Sequence, residues 1–578
     1  MQIAAVLLRQ PDGEENAMKS AEDRMAAIRK LYAQLPGENN KYEVHQEERM
    51  LPVSDGVHLR TQFWFPENRT SFPCVVTRSC YPHQEVEFAV HGEEYARRGF
   101  GFVVQWCRGT NGSEGKWEPN TYERQDGLDT MNYLAALPQV KTIGYWGNSY
   151  LASTGWCMAD AVPEKVKSMY LGVYGTDRYT SVYQDGLFRQ DIFTWWSMTN
   201  AGKKVQADYL ESCRYRPQME VDEALWGVHL DWYRNWIGNT DRDSTYWSQE
   251  GFWKMLSEIP EKIRIPIFIR DGWYDHHLGS AMVSWNRLSK EAAAHSTLQL
   301  GPWRHEYDYA LDGQNTENLR DDSVESPLRW FTETLEKEEL PERSCELYVI
   351  GADRWIRQKE LPEKGETETL YLDAALFHEG AAVLSKETAS PRQVTYLYDP
   401  ENPVMSHGTE SCFKSKREIG SLWQPECGYR PDVLSFVSQV YEEPIGIVGN
   451  IEVILFVSSD AEDTAFTAKI MEVFEDGSCV NIRGNITTLA YRNGAGTRKT
   501  YIPGEVKEIH LTMWPIAWKT HRNSRIRVDI SSSDFPQYAV HSNYPGVWSE
   551  QEKTKCAHQT IYTGEGTASR VVLPLMKV

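Results

Sequence analysis

Three short segments hold the residue types from which a covalent hydrolase is built. Gly144-Tyr-Trp-Gly-Asn-Ser-Tyr-Leu-Ala152 sets Ser149 between an apolar run and a helix-like one. A serine nucleophile must project from a sharp strand-to-helix turn, where small neighbours relieve crowding, and Gly147 stands two residues before it. Leu151 stands two residues after, so the strict G-x-S-x-G pattern is not met, and a lone Gly-x-Ser is also what an ordinary helix N-cap looks like. Asp271-Gly-Trp-Tyr-Asp275 follows the apolar run IPIFIR, and Leu300-Gly-Pro-Trp-Arg-His305 follows TLQL. A serine, then an acid, then a histidine, each on the loop after its own strand, is the chain order of an α/β-hydrolase triad. The expected roles are Ser149 as nucleophile, His305 as general base and Asp275 as the acid that orients it.

These residues must be positioned by a parallel sheet. Buried strands are expected at Cys74–Arg78, Phe102–Gln105, Thr142–Trp146, Ser168–Leu171, Ile265–Arg270 and Thr297–Leu300. Helix-like segments lie between them at Glu87–Arg98, Glu123–Leu137, Ser280–His295 and Val324–Glu336. Continuous apolar strands alternating with helices imply a mostly parallel sheet covered on both faces, and the loops after its strands converge at one edge. The alternation breaks at residues 177–255, a helical stretch rich in Trp and Tyr that reads as a cap inserted into the core. Beyond about Leu361, period-two runs at Glu452–Ser458, Ala465–Val473, Cys479–Ile482, Glu508–Met513 and Arg525–Ser531 read as an antiparallel β-sandwich. The expected division is a core at 1–176 and 256–362, a cap at 177–255 and a sandwich at 363–578. Residues 18–36 have the spacing of an amphipathic helix.

Composition narrows the function. A net charge of −21 with no basic stripe disfavours nucleic acid as a partner. Twenty-one Trp and 30 Tyr suggest aromatic-lined pockets or large domain interfaces. Ten scattered cysteines without a CxxC pair read as reduced and intracellular, most of them small buried apolar residues. The N-terminal run lacks the features of a signal peptide, and no apolar stretch approaches the ~20 residues needed to cross a bilayer. A soluble cytoplasmic protein is the expectation.

Further motifs carry a family resemblance. They include Leu51-Pro-Val-Ser-Asp-Gly-Val-His-Leu59, the run QWCRGTNGSEG from Gln105 to Gly115, GNSYL, GWYD and GPWRH. Downstream come Arg430-Pro-Asp-Val-Leu-Ser-Phe436, Ser458-Ser-Asp-Ala-Glu-Asp-Thr464, Ala468-Lys-Ile-Met-Glu-Val-Phe474 and Ser531-Ser-Ser-Asp-Phe-Pro536. Together they resemble the cocaine esterase-like (CocE/NonD) serine hydrolases, related to X-Pro dipeptidyl-peptidases and α-amino-acid ester hydrolases. The resemblance implies an α/β-hydrolase core with a helical cap and a C-terminal jelly roll. It also implies an oxyanion hole built from a tyrosine hydroxyl, matched here by Tyr81 in Arg78-Ser-Cys-Tyr-Pro82, and from the N–H of Tyr150. No metal or organic cofactor is implied, the substrate is a small ester or amide, and a homodimer is the family expectation.

Departures bear on the substrate. Trp106 stands where relatives carry an acid, and Leu151-Ala-Ser153 lacks the carboxylate that amino-ester hydrolases use. His277 replaces an aromatic of the acyl pocket, and Tyr183, Trp195 and Trp196 are candidate pocket residues from the cap. Three rival readings stand beside the esterase or amidase. The first is an X-Pro dipeptidyl-peptidase, whose usual larger N-terminal domain exceeds the length present here. The second is a metal site formed by Asp275, His276, His277 and His305. The third is a catalytically silent protein whose jelly roll binds carbohydrate.

Overall fold

A computed structural model describes residues 21–36, 40–362, 365–378, 380–411 and 418–578. The apolar N-terminal run and the first residues of the expected 18–36 helix lie outside them. Helix α1 spans Ala21–Ala33, and the core strands follow as β1 (Val44–Pro52), β2 (His58–Pro66), β3 (Phe72–Ser79), β4 (Gly101–Trp106), β5 (Val140–Asn148) and β6 (Val166–Gly172). Helices α2 (Glu85–Arg97), α3 (Glu123–Ala136) and α4 (Tyr150–Trp156) connect them. After the insertion, which contains the short strands β7 (Tyr183–Gln184) and β8 (Leu187–Phe188), come β9 (Ile267–Gly272), β10 (Thr297–Gly301), β11 (Ser344–Val349) and β12 (Arg354–Gln358).

The core sheet runs in the order β1-β2-β4-β3-β5-β6-β9-β10-β11-β12. Every pairing from β4 through β11 is parallel, and antiparallel strands are added at both ends. The pleat explains why these runs are apolar throughout, because successive side chains feed two different cores. Val75, Phe102, Val104, Trp146, Tyr170 and Phe268 face one cluster, together with Phe88 and Tyr95 of α2. Val76, Val103, Tyr145, Leu171 and Ile269 face the other, with Met131 and Leu134 of α3. Trp106, the departure noted above, is fully buried at the end of β4 and donates its indole N–H to the Gln62 side chain at 3.2 Å.

The insertion is helical and packed on aromatic rings. It opens with α5 (Arg178–Val182) and α6 (Gln190–Thr199), followed by short helices at Tyr209–Arg214, Asp231–Gly238 and Gly251–Glu258. Trp196, Trp232 and Trp236 contact one another ring to ring, with centroids 5.0–5.7 Å apart.

From Glu366 onward the chain is all-β. The expected strands Ala465–Val473 and Arg525–Ser531 form with those bounds, whereas Cys479 begins a strand that continues to Thr488. Pairing among these strands is antiparallel except between Ala381–Ser385 and Leu434–Ser438, which run parallel. The β-domain is tied directly to the core. The backbones of Ile350 and Ala517 bond at 3.0 Å, and the Tyr274 hydroxyl donates to the Ile482 carbonyl at 3.4 Å. Arg483, 2% exposed, donates to the carbonyl of Trp273 and, at 2.6 Å, to that of Pro515. Among the described residues Cys74, Cys80, Cys107, Cys157, Cys213, Cys345 and Cys479 are buried free thiols, and no helix is long and apolar enough to cross a membrane.

Candidate active site

Ser149 occupies the one-residue turn between β5 and α4 with φ +57° and ψ −128°. A side-chain-bearing residue is uncommon at positive φ, so the turn holds the serine in a strained conformation that lifts its hydroxyl clear of the sheet. The glycine two residues earlier is required by space. A Cβ on Gly147 would lie 2.3 Å from the Leu151 carbonyl oxygen of the helix that folds back over it. The Ser149 N–H donates to the Gly172 carbonyl at 2.9 Å, anchoring the turn to the end of β6. Gly172 is glycine for a related reason, since a Cβ there would overlap the Tyr307 hydroxyl and the Asn148 side chain.

Asp275 is fully buried on the loop after β9. Its Oδ1 accepts the His277 backbone N–H at 2.6 Å, and its Oδ2 meets His305 Nδ1 at 2.5 Å. The opposite nitrogen of that ring, Nε2, lies 2.8 Å from Ser149 Oγ. Three residues separated by up to 156 positions are thus joined in one hydrogen-bonded chain at the carboxyl edge of the sheet. Asp271, just below, is pushed well above the usual carboxylate range by burial and by the Asp275 charge, which favours its neutral form.

Tyr81 follows β3 and faces the elbow, its ring 6.3 Å from that of Tyr150. Its oxygen accepts the Trp196 indole N–H at 3.0 Å, and the phenol keeps its own proton as a donor. Burial holds that phenol well above its ordinary range, so it remains a donor. Tyr150 is the first residue of α4, where a backbone N–H has no acceptor within the helix. Its own hydroxyl donates to Glu123, a buried carboxylate on α3.

The remaining candidates separate. His277 is 3% exposed, with Nδ1 2.7 Å from Ser181 Oγ of α5. Its ring lies tilted against that of His276, centroids 4.2 Å apart, and the His276 ring lies 4.5 Å from that of His305, also tilted. Burial, reinforced by neighbouring imidazoles and arginines, holds both His276 and His277 well below the usual histidine range, so they stay neutral. Trp196 reaches the elbow, whereas Trp195 packs its ring edge-on against Tyr209. Tyr183 is held inside the insertion by a 2.8 Å bond to the Trp236 carbonyl. Ligand atoms of Asp275, His276 and His305 lie within 4.8 Å of one another, so these three have the spacing to hold an ion, and His277 is not among them. The contacts Trp196–Tyr81 and Ser181–His277 join residues more than 90 positions apart and have no signature in the linear sequence.

Comparisons with known proteins bear on the family and the fold. Residues 55–307 match the profile of the X-Pro dipeptidyl-peptidase (S15) family, and residues 327–572 match the X-Pro dipeptidyl-peptidase C-terminal non-catalytic domain. Cocaine esterase of Rhodococcus sp. (strain MB1 Bresler) is 26% identical over 573 residues, 91% of this chain and 98% of that protein. Along most of its length the chain is similar to the S15-type serine hydrolases and to cocaine esterase. Two solved structures share the fold of this S15-type hydrolase over 98% of its chain and all of theirs. An aminopeptidase from a marine sediment Thaumarchaeota archaeon superposes with a TM-score of 0.79 at 18% identity, and an α-amino acid ester hydrolase with 0.77 at 20%. The α/β-hydrolase core and the C-terminal all-β domain are those of the family.

Proposed function

We propose that this enzyme hydrolyses an ester or amide of a small acyl substrate through an acyl-enzyme on Ser149. The reading is carried by one observation, the single imidazole that bridges Ser149 Oγ at 2.8 Å and Asp275 Oδ2 at 2.5 Å. As the Ser149 oxygen bonds to the carbonyl carbon, its proton passes to His305 Nε2. Asp275 holds Nδ1–H and stabilises the imidazolium that forms. The carbonyl oxygen becomes an oxyanion, for which the Tyr81 hydroxyl and the Tyr150 N–H are the donors at hand. When the tetrahedral centre collapses, His305 returns the proton to the departing alcohol or amine. Water then attacks the acyl-serine by the same proton route and releases the acid.

A second reading, hydrolysis of X-Pro amides, is favoured by the family profile that matches the catalytic half. One experiment addresses both. A fluorophosphonate should add to the protein once, with the adduct mapping by peptide mass to Ser149. Product mass from short acyl esters and X-Pro anilides offered side by side then chooses the bond. Labelling on another residue, or turnover that survives Ser149→Ala and is lost to a chelator, would replace the serine reading with a metal one.

A further inference from the structure

Arg178, at the start of α5, is 7% exposed and enclosed by aromatic rings. Its guanidinium carbon lies 4.6 Å from the ring centroids of both Phe193 and Trp236, 5.5 Å from Trp253 and 5.8 Å from Tyr174. Among the described residues it makes no ion pair, and its buried Nε has no hydrogen-bond partner. The adjacent acid, Asp177, is turned away to Arg242 at 3.0 Å. Among the described residues its one side-chain hydrogen bond is a long contact of 3.4 Å, donated to the Tyr174 hydroxyl. Ring faces attract a cation but offer no oxygen to a guanidinium's five N–H donors, and a buried charge without a counter-charge is costly.

The position of this cation gives it meaning. Phe193 touches the His276 ring at 6.1 Å, and Tyr174 touches the His277 ring at 4.6 Å. Trp236 touches Trp196, which donates to Tyr81. Arg178 is therefore one aromatic ring removed from His276 and from His277, which follow Asp275 on its loop, and two rings removed from Tyr81. We infer that Arg178 is a specificity-determining residue that receives a carboxylate at the far end of the acyl group. The substrate class is then the half-esters or half-amides of short dicarboxylic acids. A planar carboxylate supplies the paired oxygens that a guanidinium lacks here. The acyl half is the better match than the leaving group because it stays bound to Ser149 after the leaving group departs. A free α-amino group at this position would meet a like charge.

The inference rests on the serine-hydrolase reading, and the test keeps the two apart. Wild-type kcat/KM should be measured on p-nitrophenyl hemiglutarate and on the neutral p-nitrophenyl hexanoate, each corrected for spontaneous hydrolysis. The anionic ester should be favoured about 10- to 100-fold, the range expected for a charge-assisted hydrogen-bonded pair. That ratio should collapse in Arg178→Gln and be partly kept in Arg178→Lys, with fluorophosphonate labelling of each variant reporting an intact site. Independently, glutarate should change the tryptophan fluorescence of Ser149→Ala, a readout that needs no chemistry and no change at Arg178. A wild-type preference for the neutral ester, a ratio unmoved in Arg178→Gln, or no response to millimolar glutarate would overturn the assignment while leaving the serine reading intact. Failure of both esters to turn over, with glutarate still binding, would sink the serine reading and leave the anion site standing.

Discussion

The indole N–H of Trp196, on inserted helix α6, donates across 3.0 Å to the hydroxyl of Tyr81 on the loop after β3. A hydroxyl that accepts one hydrogen bond is polarised to donate a stronger one, so the insertion would sharpen the oxyanion donor proposed for the core. Tyr81→Phe should lower kcat about 100- to 1,000-fold, as loss of one oxyanion donor does. Trp196→Phe should lower it about fivefold, the worth of one ordinary hydrogen bond. The double variant should be no slower than Tyr81→Phe alone, because the indole acts through the phenol. Steady-state kinetics on a short p-nitrophenyl ester reads all three, and additive losses would separate the two residues.

Asp275→Asn should leave the fold intact and lower kcat by about 10⁴. The His277 N–H on one side of the carboxyl keeps the amide oxygen at the Oδ1 position, which turns the new NH₂ toward His305. The imidazole must then carry its proton on Nε2, where it cannot accept one from Ser149. Circular dichroism and the thermal midpoint should match wild type while turnover fails.

His91 lies on α2 with its Nδ1 2.8 Å from the Tyr32 hydroxyl, and burial lowers its pKa to about 3. The unfolded chain takes up a proton on this ring near pH 6.5 and the folded one does not, so wild type loses stability as pH falls below about 6.5. His91→Gln removes this contribution. Its stability deficit relative to wild type should shrink on acidification by up to about 1.4 kcal/mol per pH unit, and stay constant above pH 7. Urea unfolding of both proteins at several pH values measures the difference.

Arg483→Met should destabilise the protein by roughly 3 kcal/mol, because the carbonyls of Trp273 and Pro515 lose a buried donor. It should also slow turnover, since Trp273 lies two residues from Asp275 on the same loop. A normal kcat with a lowered thermal midpoint would confine the arginine to stability.

The strands that carry the site were legible because their apolar runs are short, unbroken and bounded by Gly and Asp. Thr142–Trp146 and Ile265–Arg270 fall within a few residues of β5 and β9. Element ends were less so, since they depend on tertiary partners. The expected helix Ser280–His295 breaks at Leu288, where the Ser289 hydroxyl accepts the Ala292 N–H and starts a new turn. Gly484 and Asn485 read locally as a turn, yet they continue a strand because Lys469 and Ala468 lie opposite them. In the site, Ser149, Asp275 and His305 announce themselves through strand-end motifs. Arg178 does not, because its environment is assembled from rings 4 to 75 residues away in sequence.

Arg483 makes the two halves of this enzyme a matched pair. Its guanidinium braces the loop of Asp275 from a strand of the other domain. A chimera joining this core to a foreign β-domain would inherit Ser149 and His305 intact, but not the stop against which Asp275 leans. Recombination between relatives should therefore give active offspring only where both parents keep an arginine at this register of that strand.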